Sequence, residues 1–513
     1  MVTSSSRRAA RGIRAVLTIA VATVTASVES AAAQAQVQDE PIITTRHVVT
    51  IAGRTLRYTA RAGRIPIRDN EAGDVHGQMF FVSYTLDRPS NAAPRPLMFV
   101  WNGGPGSNSA LVHLIGFGPK RMAPRAGARS DDRGRWTIEA NPGTWLDETD
   151  LVFVDPIGTG YSRPTRAEYG AEFYQTRGDA AAVAEFIRVY RTRFDAFDAP
   201  LFLAGESFGV TRAAGVAEAL TERGTAVRGV ILLGLALPLG QASPAIRTAL
   251  GLPSLTVAAF ANRKLAPDLQ RDLSQTLAQV ESWSERDYAP LLERAGALSD
   301  AERDSAARMI ARYTGLDASR VDRRSLVVNR MQLGSYLLRA EGQFVGQYDS
   351  RMSGPLGTME TEYDPTKDPS LANLLDDVTV LRYLRYELGY RNDLRYQGPF
   401  GGGYPPPTSF RGDWMSTRWN RSADSVARQP LANAMRTNPR LRVLVGCGIY
   451  DLVCDYYGNV WMANHLEPAV RPNVVARSYP GGHAMYTDPR AHIQLKRDVA
   501  AFIRQASGSA AQP

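Results

Sequence analysis

The chain has 513 residues, 44% of them apolar, and a formal net charge of +9. That supports a large buried core, and the length exceeds what one compact layer of structure uses, so a core with an added element is expected. The first 33 residues carry four arginines and one glutamate, and the remaining basic excess is interspersed with acids, which excludes the charge run of a nucleic-acid footprint.

Cys447 and Cys454 are the only cysteines, too few for a disulfide framework or a four-cysteine zinc site. A local bridge between them needs specific geometry across a short turn, so two buried thiols are the expectation.

At the N-terminus, Arg7, Arg8, Arg11 and Arg14 precede an apolar stretch, 15–28, followed by Ala31-Ala32-Ala33-Gln34-Ala35. This is the pattern of a signal peptide over residues 1–35, with cleavage after Ala33 or Ala35, and its apolar part is too short to span a bilayer. The expected product is exported, periplasmic or secreted. No other segment reads as an unbroken membrane span, so no span is expected in the mature form.

Residues 47–51, 56–60 and 79–86 are rich in β-branched and aromatic residues and read as antiparallel strands at a sheet edge. From 96 to 234 short apolar runs at 97–101, 151–154, 201–204 and 230–233 alternate with helical stretches at 179–193 and 210–223. Such runs fit parallel strands buried on both faces, and the alternation implies a doubly wound α/β core.

Between 238 and 430 the strand signal fades; Ser299 and Glu302 form a capping box for a helix ending near Gly315, and 397–407 is a Gly/Pro-rich loop. The alternation resumes with a strand at 441–445, a helix at 456–466, a strand at 474–479 and a closing helix at 490–506. The expected organisation is a core in two parts, 36–237 and 431–513, interrupted by a helical cap at 238–430.

Gly205-Glu206-Ser207-Phe208-Gly209 fits G-x-S-x-G between a strand and a helix. A sharp strand-to-helix reversal exposes the Ser207 hydroxyl and requires small neighbours two positions away. A serine hydroxyl needs a base. Of six histidines, His47 sits in an N-terminal strand, His76 precedes the core, His113 follows a glycine-rich loop, and His465 and His492 lie within helices, whereas His483 occupies a glycine-flanked loop after a late core strand. An orienting carboxylate should lie between the two in the chain. Asp451, shortly after the 441–445 strand, is preferred; Asp455, the nearest competitor, reads as a helix N-terminal acid. For the oxyanion, the loop Asn102-Gly103-Gly104-Pro105-Gly106 and the residue after the nucleophile supply Gly104 N–H and Phe208 N–H.

These residues, with Asp155-Pro156-Ile157-Gly158-Thr159-Gly160-Tyr161-Ser162, Asp451-Leu452-Val453-Cys454 and Gly482-His483, are spread in order from 96 to 488. Together they resemble the serine carboxypeptidase family of the α/β-hydrolase superfamily, in particular its bacterial branch. The resemblance implies an α/β-hydrolase fold with a largely helical cap over the pocket, and a triad of Ser207, Asp451 and His483 with Gly104 in the oxyanion hole. It further implies that Asn102 and Glu206 bind the free α-carboxylate of a peptide, and that Cys454 lies near the active site.

Three positions depart from the pattern. Gly116 stands where many eukaryotic members carry a second glutamate paired with the one before the nucleophile, Ser107 where a disulfide cysteine is common, and Ala484 where methionine is usual.

The activity implied is removal of a C-terminal residue through an acyl-enzyme on Ser207. Ester hydrolysis or acyl transfer would use the same triad, and a non-catalytic binding protein would carry a broken one. No metal or organic cofactor is expected: His465 and His492 lack a partner at ligand spacing, and the glycines at 398–403 follow no strand.

Overall fold

A computed structural model describes residues 40–89, 91–125, 136–234, 242–360, 363–372, 374–398 and 430–508. The expected signal peptide and most of the 397–407 loop lie outside them. The described chain from Pro41 onward is one compact unit.

Its centre is a sheet of nine strands in a single path: β1 (Ile43–Ile51), β2 (Arg54–Arg68), β3 (Val75–Leu86), β4 (Leu97–Trp101), β5 (Asp150–Val154), β6 (Leu201–Glu206), β7 (Val227–Leu233), β8 (Arg442–Gly448) and β9 (Val474–Tyr479). The spatial order is β1-β2-β3-β5-β4-β6-β7-β8-β9, with a two-residue strand, Arg163–Pro164, also paired to β3. β1 to β3 and the β3–β5 pairing are antiparallel. From β5 to β9 every pairing is parallel.

The parallel strands are legible because both faces are covered, which demands apolar residues without alternation. In β4, Met98 and Val100 enter one core layer while Leu97, Phe99 and Trp101 enter the other. Helices α1 (Thr176–Arg193) and α2 (Gly209–Glu222) close the second layer. The C-terminal helix Pro489–Ser507 closes the first through Leu495, Val499 and Phe502. Each fully buried large apolar side chain of this kind contributes about 1.5–3 kcal/mol.

Two expectations change. β2 runs on to Arg68 instead of ending at residue 60, since its inward positions Ala62, Ile65 and Ile67 stay buried while Arg57 and Arg68 point outward. His76, placed before the core by its sequence position, lies within β3.

The segment between β7 and β8 is mainly helical and divides by what it packs against. Helices α3 (Pro244–Ala261), α4 (Leu273–Trp283) and α5 (Asp300–Thr314) build a separate apolar cluster with Leu333, Leu337 and Val345. Ser299 and Glu302 form the anticipated capping box, and Gly315 closes α5 at φ 68°. Residues 380–390, by contrast, join the sheet's own core through Val380, Tyr383, Leu384 and Tyr390. By length and composition α3 alone, among the described helices, could cross a membrane, with a mean hydropathy of 1.2; 56% of it is buried inside the protein. Arg247, Gly251 and Pro253 break its apolar run in the sequence.

Candidate active site

β6 ends at Glu206 and α2 begins at Gly209, so Ser207 and Phe208 make the whole reversal. Ser207 has φ 55°, a left-handed conformation that costs a non-glycine residue roughly 1–3 kcal/mol and needs surrounding structure to hold it. The hold is visible. Ser207 N–H donates to Leu233 O at the end of β7 (2.8 Å), and Ser207 O accepts from Val210 N (2.9 Å). A Cβ on Gly205 would lie 2.0 Å from Gly209 O, and one on Gly209 would lie 2.8 Å from Trp101 Cδ1. Both glycines of the motif are thus demanded by close packing.

The loop after β4 meets this turn backbone to backbone. A Cβ on Gly103 would stand 2.4 Å from Phe208 N and 2.8 Å from Ser207 Cβ. Gly104 follows at φ 101°, which favours glycine. The peptide joining Gly103 to Gly104 is therefore held beside the Ser207–Phe208 backbone.

Two side chains that the sequence did not single out lock this arrangement. Arg212, on α2, donates from Nη1 to Asn102 O (2.8 Å) and from Nε to Asp179 Oδ2 (2.6 Å). Its guanidinium also lies 5.2 Å from the Phe208 ring centroid. Arg212 and Asp179 are both buried. Burial pushes the Asp179 carboxyl up while Arg212 pulls it down, leaving it above its ordinary value. As charged residues inside amphipathic helices they carry no sequence signature.

The loops after β8 and β9 are zipped together. Ile449 N donates to Tyr479 O (2.9 Å) and Tyr450 N to Gly481 O (3.0 Å), and a Cβ on Gly448 would fall 2.0 Å from Gly482 O. This contact brings Asp451 to His483: Nδ1 of the imidazole is 2.7 Å from Asp451 Oδ2, while Asp451 Oδ1 accepts from Val453 N (2.7 Å). A carboxylate only accepts, so the ring proton sits on Nδ1 and Nε2 is left as an acceptor. Nε2 is buried without a hydrogen-bond partner among the described residues. Burial pulls the imidazole pKa down, but the Asp451 charge and hydrogen bond, with Glu206, outweigh it and leave His483 above its ordinary 6.5.

His483 also sits against the end of β7. A Cβ on Gly234 would be 3.2 Å from the ring's Cε1 and Nδ1. The preceding residue, Leu233, is the one whose carbonyl holds Ser207 N–H. Ser207 and His483 therefore converge on one strand end. Asp455 stands just before the helix Tyr456–Asn464 and has no such bond to His483; burial, then the charge of Asp451, raises it to about 6.

A further segment, 347–350, clamps both loops from the helical side. His483 N donates to Tyr348 O (2.6 Å), Leu452 N to Gln347 O (3.0 Å) and Ser350 N to Tyr450 O (2.9 Å), and the Tyr348 ring meets His483 edge-on at 5.1 Å. Arg330 from the same side approaches without a carboxylate partner among the described residues; Nη1 donates to Gln347 Oε1 (3.3 Å), and its charge opposes protonation of His483.

Cys447 and Cys454 are joined as a disulfide, contrary to the expected pair of thiols. The turn that carries Asp451 returns the chain so that the two Cα atoms lie 6.5 Å apart, within bridging range.

Glu206, before the nucleophile, is buried. Its Oε1 accepts from Asn102 Nδ2 (3.1 Å), and Oε2 accepts from the hydroxyl of Tyr486. Asn102 Oδ1 is itself fixed by Val112 N (3.1 Å). Burial is the main cause raising the Glu206 carboxyl to about 7, opposed by His483, Tyr486 and Asn102 and reinforced by Asp451. Gly116 lies beside this pair in the π-helix Val112–Phe117, and a Cβ there would touch the Tyr486 ring at 3.5–3.7 Å. A side chain at 116 would therefore begin in ordinary van der Waals contact with that ring.

The sequence pattern of the serine carboxypeptidases matches residues 62–487. The chain belongs to the serine carboxypeptidase family. Among curated members, it is 31% identical over 154 residues to the pheromone-processing carboxypeptidase kex1 of Aspergillus terreus, covering 29% of this chain and 22% of that one. It is 34% identical over 105 residues to the pheromone-processing carboxypeptidase KEX1 of Saccharomyces cerevisiae, covering 20% of this chain and 13% of that one. The matched segments thus span about a fifth or less of these relatives. The crystal structure of a prohormone-processing carboxypeptidase from Saccharomyces cerevisiae superposes with a TM-score of 0.50 at 15% identity, over 88% of this chain and 91% of that one. The expected α/β-hydrolase fold of the family is therefore the fold of this chain.

Proposed function

We propose that the protein is an exported serine-type carboxypeptidase that hydrolyses the C-terminal peptide bond of peptides. The observation that carries the chemistry is the Asp451–His483 pair. Its bond at 2.7 Å fixes the proton on Nδ1 and leaves Nε2 buried without a hydrogen-bond partner among the described residues, on a ring packed against the strand end that also holds Ser207.

In this reading Nε2 of His483 takes the Ser207 proton as Oγ attacks the carbonyl carbon, and Asp451 stabilises the imidazolium so formed. The oxyanion is received by Gly104 N–H and Phe208 N–H, brought together by the Gly103 contact. His483 then returns the proton to the leaving amine, which departs as the free C-terminal amino acid. Water, deprotonated by His483, releases the acyl group from Ser207.

Restriction to free C-termini follows from Asn102 and Glu206. A neutral Glu206 and the Asn102 amide both donate to a substrate carboxylate, whereas an ionised Glu206 repels it. The raised pKa of about 7 supports a Glu206 that is half protonated at neutrality and largely protonated below it. Export rests on the N-terminal segment with Arg7, Arg8, Arg11 and Arg14 before its apolar run, in residues outside those described.

The reading is tested by labelling the protein with a serine-directed fluorophosphonate and locating the adduct by mass spectrometry. The adduct is expected on Ser207 and absent from His483→Ala. An unlabelled protein, or an adduct on another serine, would overturn the assignment.

A further inference from the structure

Glu206 is gripped on both oxygens, and the two grips differ. Oε1 takes an amide N–H from Asn102 Nδ2 at 3.1 Å, whereas Oε2 takes the phenol O–H of Tyr486. A phenol has one proton to give, and Tyr486 gives it to Oε2. In a neutral carboxyl the carbonyl oxygen is the better acceptor, and a phenol O–H is a stronger donor than an amide N–H, so Tyr486 selects Oε2 as the carbonyl. The acid proton is left on Oε1, the oxygen beside Asn102.

Tyr486 is held for this task. It is buried, its ring packs edge-on to Phe117 at 4.9 Å, and it lies beside Gly116. Burial and the neighbouring Glu206 push its own ionisation well above the ordinary 10, so it remains a donor through the neutral range. The charged or titratable groups that face Glu206 are His483, Asp451 and Tyr486. Among them Tyr486 is the one that donates a hydrogen bond to Glu206 without carrying charge.

We propose that Tyr486 is the positioning residue for carboxylate recognition in this enzyme: by donating to Oε2 it places the acid proton of Glu206 on Oε1, next to the Asn102 amide, so that both donate to the substrate's terminal carboxylate. Recognition then depends on one acid and a phenol, in place of two acids sharing a proton. The proposal rests on the carboxypeptidase reading and specifies how that site works here.

Two consequences separate this role from simple packing. Removing the hydroxyl takes a donor from the Glu206 carboxylate, so Glu206 becomes harder to ionise and the pH at which KM climbs moves up. It also frees the acid proton to sit on either oxygen, which weakens binding of a free carboxylate but not of an amide.

The experiment compares wild type, Tyr486→Phe and a chain with 3-fluorotyrosine at 486, a stronger donor of almost the same shape. KM and kcat are measured from pH 5 to 9 for an N-blocked dipeptide and for its C-terminal amide. Tyr486→Phe is expected to lower the preference for the free acid about tenfold, the worth of one such hydrogen bond, and to shift the KM transition to higher pH. The fluorinated chain is expected to shift it to lower pH. Unchanged preference and superimposable KM profiles in both variants would overturn the proposal. If wild type cleaves the amide as well as the acid, the carboxypeptidase reading itself fails, a result distinct from failure of the Tyr486 role.

Discussion

His483 Nδ1 lies 2.7 Å from Asp451 Oδ2, and the residues come from loops that follow two adjacent parallel strands. The pairing is built by backbone contacts between those loops, with Gly448 packed against Gly482 O. Asp451 also accepts from Val453 N, so its carboxylate is oriented before it meets the ring.

The Asp451–His483 bond makes a directional claim. Asp451→Asn presents an amide that can donate to Nδ1, turning the ring proton to Nε2 and removing the base. A fall in kcat of about 10⁴-fold is expected, with the fold retained. Steady-state kinetics beside a thermal melt would check it; a loss below about tenfold would contradict the tautomer assignment.

The pH dependence for peptides should be two-sided. In the proposed mechanism His483 must be neutral to act, and because its pKa is raised the base is lost on the acid side at a pH above the ordinary 6.5. In the same proposal Glu206 binds the carboxylate when protonated, and that form is lost as pH rises through about 7. A free-acid dipeptide should therefore give a bell-shaped kcat/KM, while its C-terminal amide keeps only the acid limb. With Glu206→Gln the rise of KM above neutrality should vanish.

Arg212 and Asp179 form a buried ion pair that also grips the carbonyl of Asn102. Arg212→Met leaves the Asp179 carboxylate buried without its partner and should cost about 3–5 kcal/mol in chemical denaturation. Arg212→Met with Asp179→Leu should recover much of that stability. Activity should stay low in both, because the carbonyl of Asn102 loses its donor.

Much of this was legible beforehand, for physical reasons. β4, β6 and β7 are buried on both faces and so advertise themselves as unbroken apolar runs, which located the turn that holds Ser207. His483 stood out because Gly481 and Gly482 must be small: Cβ atoms there would strike Met485 Cα at 2.8 Å and Tyr348 O at 2.4 Å. Asp451 and Asp455 competed until the geometry of their loop was known.

The rest depended on long-range packing. Tyr486 is three residues from His483 in the chain, but its partner Glu206 is 280 residues away. The 347–350 clamp comes from a stretch with no motif, and its contacts are made largely by backbone groups. The disulfide depended on how tightly the chain turns between residues 447 and 454, which composition does not encode.

The central claim is that Ser207 and Glu206 together make an exopeptidase. It is tested most directly by incubating the protein with an N-blocked dipeptide, and separately with its C-terminal amide, and following products by mass spectrometry. The account predicts release of the terminal amino acid from the free-acid substrate, little from the amide, and none above background with Ser207→Ala. Equal cleavage of acid and amide, or cleavage that survives Ser207→Ala, would contradict it.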